Sequence, residues 1–195
     1  MSRLRHLLLP ALIVCLFSCK SEKEEETEET RFFPVLSYLN SQVAHVDTSL
    51  YRIIKITTVE KQSDTAYIPR EEFRKAAADF LSIPDITKGS LKKDYKETEL
   101  YDESIESVVL SYMPTEDGAE IRRQEVIIQP AQAETDQVKS IFIDRIIEQD
   151  KATVRKNMLW QVDRRFQVVT ITQHSDGTEK IEKVQVIWND HPSAE

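Results

Sequence analysis

Glycine is almost missing from this chain: there are three in 195 residues. That excludes the glycine-rich loops that cradle phosphates and the GxSxG nucleophile elbow. The only cysteines are Cys15 and Cys19, both near the N-terminus. The body of the chain therefore has no thiol for a disulfide, a metal or a nucleophile. No apolar run approaches the ~20 residues that a membrane-crossing helix needs. His45, His174 and His191 are far apart and show no metal-ligand spacing. Asp176-Gly177 lacks the preceding alternate acids of a calcium loop. Internal repeats and heptad runs are also missing. No metal and no cofactor is expected.

What is present begins at the N-terminus. Arg3 and Arg5 precede a short apolar segment, Leu7 to Phe17, interrupted by Pro10. A charged start, a short apolar core and small residues at its end read as a secretory signal, residues 1–18. Its end, Leu16-Phe17-Ser18-Cys19, resembles the lipobox of bacterial lipoproteins. Leu16 holds the leucine position and Ser18 the small one. The resemblance implies that Cys19 is the lipid acceptor and first mature residue, and that the membrane is a partner through that lipid.

Residues 19–31 follow as an acidic tether, Lys20-Ser21-Glu22-Lys23-Glu24-Glu25-Glu26-Thr27-Glu28-Glu29 at its heart. It has no hydrophobic side chain to offset the entropy of ordering, so disorder is expected. A dozen extended residues reach roughly 40 Å. A lysine and an acidic run just after the cysteine resemble the surface-export signal of some Gram-negative lipoproteins. That implies an outer-membrane anchor with the domain facing outward rather than into the periplasm.

The whole chain carries a formal charge of -8. Removing residues 1–18 takes away Arg3 and Arg5 and no acid, so the mature chain is more acidic still. Nucleic acid is not an expected partner, because an acidic surface has little attraction for phosphate backbones.

Residues 32–195 have the length of one domain. Phe32, Val35, Leu36, Leu39 and Val43 recur at helical spacing behind Pro34. Tyr51 to Val59 reads as a strand. Pro69, Glu71 and Glu72 open a second helix, whose stripe is Phe73, Ala76, Ala77, Phe80 and Leu81, and Pro84 stops it. The period then changes to two. Residues 105–112, 119–129, 138–147, 153–173 and 180–188 read as strands, with hairpin signals at Asp117-Gly118 and Asp176-Gly177. The expected fold is α+β: two N-terminal helices packed on one face of a curved antiparallel sheet of about six strands, ending in a C-terminal meander.

Along 153–173, Met158, Trp160, Val162, Phe166 and Val168 share one parity, and Asn157, Gln161, Asp163, Arg165 and Gln167 the other. One sheet face is expected to be dry and the other wet. Arg164 falls on the dry parity, which predicts a bulge or bend there, or an arginine lining a cavity. Arg164 and Trp160 are the candidate ligand-surface residues, with Trp160 also readable as core. No catalytic constellation emerges. The leading expectation is a non-catalytic, outer-membrane-anchored module that binds an envelope protein, glycan or lipid. The alternatives are a carrier with an apolar cavity between helices and sheet, and a hydrolase whose site is assembled from loops.

Overall fold

A computed structural model describes residues 32–131 and 135–189. The signal segment, Cys19, the tether and His191 lie outside the described residues.

The chain builds one nine-stranded antiparallel sheet with a few short helices. In chain order come α1 (Val35–Thr48), β1 (Ile53–Val59), β2 (Gln62–Ile68), α2 (Arg70–Ala76), α3 (Ala78–Leu81) and α4 (Gly89–Lys92). Seven strands follow: β3 (Tyr95–Asp102), β4 (Ser107–Pro114), β5 (Ile121–Gln129), β6 (Gln137–Gln149), β7 (Ala152–Gln161), β8 (Arg165–His174) and β9 (Glu179–Ile187). The spatial order is β2-β1-β9-β8-β7-β6-β5-β4-β3, so β3 to β9 lie side by side in sequence order and β1 closes against β9.

The expected two helices on six strands are thus corrected to short helices on nine strands. Three causes account for the difference. β2, Gln-Ser-Asp-Thr-Ala-Tyr-Ile, is an edge strand and exposed along nearly its whole length. β3, at the other edge, is similarly polar. Edge strands need no apolar alternation and benefit from charge, which blunts edge-to-edge pairing. The third cause lies in 153–173, which is two strands and not one. Gln161 pairs with Arg165 across a three-residue turn, and Asp163 takes φ 57° there without a glycine. The second helix is also divided, into α2 and α3, at Ala77.

The core follows from register. Val126, Ile141, Trp160, Phe166 and Val186 stand directly opposite one another on five successive strands. All five are fully buried. Phe73 and Phe80, from α2 and α3, set their rings edge-on against Trp160 at 6.4 and 5.2 Å. Trp160 stacks on Phe166 at 5.2 Å, and Trp188 completes the cluster. Helices as short as α2 and α3 are marginal alone. Here they are held by this burial and by ion pairing of Lys156 with Asp79. Every residue of the core lies between Phe32 and Trp188, so this stretch carries its own hydrophobic centre.

The chain enters the core over Tyr112. Its buried hydroxyl accepts a 2.9 Å hydrogen bond from the Phe33 backbone N–H, and its ring meets Phe32 at 4.9 Å. Burial, with Glu97 nearby, pushes the Tyr112 phenol well above its ordinary value. Tyr112→Phe leaves that N–H without its partner and is expected to cost about 1–2 kcal/mol. Urea unfolding checks it, with the shift in midpoint at unchanged m-value as the readout.

Turns are fixed by short-range chemistry. Gly118 and Gly177 both take positive φ, 97° and 86°, as the hairpin signals require. Asp176 accepts from the backbone N–H and hydroxyl of Thr178, and Asp102 does the same from Ser104. These hydrogen bonds stabilise the charged carboxylates and lower both pKa values.

Candidate functional site

The helices cover one face of the sheet. Among the described residues, nothing covers the other. Its residues alternate with the core positions, and its centre falls on β5 to β9. Part of that centre is internally satisfied. Arg155 donates two hydrogen bonds to Asp144, at 3.0 and 2.6 Å, and Asp144 is buried by its neighbours. Those bonds raise the Arg155 pKa. Arg123 lies 4.8 Å from the centre of the Phe142 ring, a cation–π contact.

The rest of the face is differently made. At the end carrying the β7–β8 turn, the register between β5 and β6 shifts between Ile127 and Ile128, leaving Lys139 as an extra residue in β6. A bulge bends its strand and re-aims side chains. A depression of about 470 Å³ opens there. Ile105, Ile127 and Val138 form apolar wall, Ser140 and Gln137 supply polar groups, and Lys139 and Arg164 supply positive charge. Asp163 is its one carboxylate. Burial, and then the Asp163 charge, raise the pKa of the neighbouring Tyr38.

A second depression of about 340 Å³ lies alongside, on β7, β8 and β9. Arg165, Lys183, Gln167 and Gln185 line it, with Leu159 beneath. Gln161 lines both depressions, and the two together are the groove of this face. Its side-chain oxygen accepts from Arg165 Nε, which fixes the guanidinium at the junction. The groove thus gathers Lys139, Arg164, Arg165 and Lys183 against Asp163, on a chain whose formal charge is -8.

Arg164 stands in the β7–β8 turn and lines the first depression. Trp160 is fully buried in the aromatic core and forms no part of the groove. Lys139, Lys183, Gln167 and Gln185 were not singled out from sequence. Gln167 is on the expected wet parity, but only the β8–β9 pairing sets Gln185 opposite it.

Other candidates assemble less. His45 is exposed, with its ring 6.2 Å from that of Tyr51. His174 shares a shallow groove with Asp150 and Ser175 at the hairpin tips, but all three are exposed and no hydrogen bond joins the imidazole to either. A nucleophile and its base need hydrogen-bond reach. No group of three or more His, Cys, Asp or Glu side chains among the described residues could hold a metal. Between helices and sheet the aromatic cluster packs around Trp160. Beside that cluster a cleft of about 250 Å³ lies between α2 and the sheet, lined by Ile68, Ala76, Val168 and Val184 and by the charged Lys55, Glu72, Lys75 and Asp79. No described helix is long and apolar enough to cross a membrane.

Comparison with protein-family models, with curated proteins and with solved structures finds no match.

Proposed function

We propose that this chain is a non-catalytic binding module of the bacterial cell envelope, tethered to the outer membrane through a lipid on Cys19 and facing the cell surface. The observation that carries the binding role is the groove on the uncovered face. Four cations and a set of glutamine amides are concentrated there, on an otherwise acidic protein. Charge gathered against the sign of the whole molecule steers a partner of opposite charge to that place. The tether and anchor rest on the N-terminal residues alone.

The carrier reading requires an apolar cavity between helices and sheet. The aromatic cluster occupies the centre of that space, and the cleft beside it, about 250 Å³, carries Lys55, Glu72, Lys75 and Asp79 among its apolar residues. The hydrolase reading finds no imidazole hydrogen-bonded to an acid or a hydroxyl among the described residues.

The test is cosedimentation of Phe32–Glu195 with isolated cell envelopes, which removes the anchor and asks what the domain holds by itself. Retention is expected, roughly tenfold weaker for Arg165→Glu/Lys183→Glu and weakened by 1 M salt, where the Debye length falls to about 3 Å. Lys61→Glu/Lys93→Glu, two exposed lysines outside the groove, is the control with the same change in net charge. Equal retention of all three proteins would overturn the groove as the binding site.

A further inference from the structure

Resting on the binding reading above, we infer that the groove takes an acidic glycan chain, a run of sugar hydroxyls carrying carboxylates. Three features point to this class. The first is shape. Two depressions that share Gln161 as a lining residue lie side by side, between the β6 bulge and β9. Three strand spacings at about 4.8 Å each give a length of about 14 Å, which suits a chain more than a compact molecule.

The second is the pairing of donor types. Lys139, Arg164, Arg165 and Lys183 match anionic groups, and Arg presents a fork suited to carboxylate. Gln137, Gln161, Gln167 and Gln185 stand among them. An amide both donates and accepts, and so does a sugar hydroxyl. A ligand of charge alone would leave the amides without a role.

The third feature separates a glycan from an acidic peptide. A peptide docking on a sheet gains most by pairing its backbone with an edge strand. β7, β8 and β9 are interior strands, each hydrogen-bonded to both neighbours. No backbone ladder is open under the groove. A peptide lying there would find only side chains, whereas a glycan requires nothing else.

The experiment measures binding of Phe32–Glu195 to polygalacturonate, with dextran as the neutral glycan and polyglutamate as the acidic peptide. Polygalacturonate is expected to bind and dextran not. Arg165→Glu/Lys183→Glu should weaken binding at least tenfold, and Gln167→Ala/Gln185→Ala, which keeps every charge, several-fold. Polyglutamate binding as tightly as polygalacturonate, with the glutamine variant indistinguishable from the parent, would overturn the glycan assignment in favour of charge alone. If polygalacturonate fails to bind while envelope cosedimentation persists, the ligand class is wrong and the binding reading stands. If both fail, both fall.

Discussion

Trp160→Ala is expected to destabilise the domain by about 3–5 kcal/mol, the usual range for removing a large aromatic from a packed core. Trp160 has no exposed surface, and its ring meets Phe73, Phe80, Phe166 and Trp188. Alanine would leave a void bordered by four other aromatics from α2, α3, β8 and the end of β9. These cannot all collapse inward without dragging the helices off their register. Domains of this size have only ~5–15 kcal/mol in total. The variant should therefore unfold at much lower urea, or be partly unfolded without it. Leu159→Ala is the matched control. Leu159 is the next residue on the same strand, half-buried on the uncovered face, and its loss should cost about 1 kcal/mol or less. Similar costs for the two would mean that the helices do not close over Trp160 as described.

The opposite facing of Trp160 and Gln161 is readable from alternation along 153–173, although that stretch reads as one strand and holds two. The reason is arithmetic. The turn from Gln161 to Arg165 holds three residues, an odd number, so parity runs through it unbroken. Trp160 and Phe166 fall on one face, and Gln161, Arg165 and Gln167 on the other, whether the chain turns or not. Arg164 was the visible sign of the turn, because it put a charge where the dry face should continue.

Other elements had no such sign. β2 and β3 are edges, where little is buried and no period is imposed. A sequence pattern reports burial, and these strands are specified by their neighbours' hydrogen bonds. The groove escaped for a related reason. Lys139 belongs to a bulge, and Lys183 and Gln185 come from a strand that meets β8 through pairing. Each is an ordinary polar residue in its own segment. Their convergence is a property of register, which alternation within a single strand does not contain. The histidines were the converse case: their chemistry is conspicuous in sequence, yet His45 and His174 stand exposed on separate elements.

Cys19→Ser is expected to abolish lipid anchoring and leave only weak envelope association. The proposal is that Cys19 becomes the first mature residue and carries a diacylglyceryl group. One acyl chain holds a protein only marginally, with a binding constant of about 10⁴ M⁻¹, and a second makes the anchor stable. No described helix is long and apolar enough to cross a membrane. Serine keeps the size of the side chain and removes the thiol that a thioether bond requires. Cells expressing the parent and the variant would be grown with alkyne-palmitate, and their membranes separated. The parent should take up label and sediment with the outer membrane. The variant should take up none, since no other cysteine remains beyond Ser18. Its envelope association should then become weak and salt-sensitive, because the groove would be the only hold left. Label persisting on the variant would overturn the assignment of Cys19. Salt-resistant envelope retention without label would show that the domain holds the envelope by contacts stronger than the charges of the groove can supply.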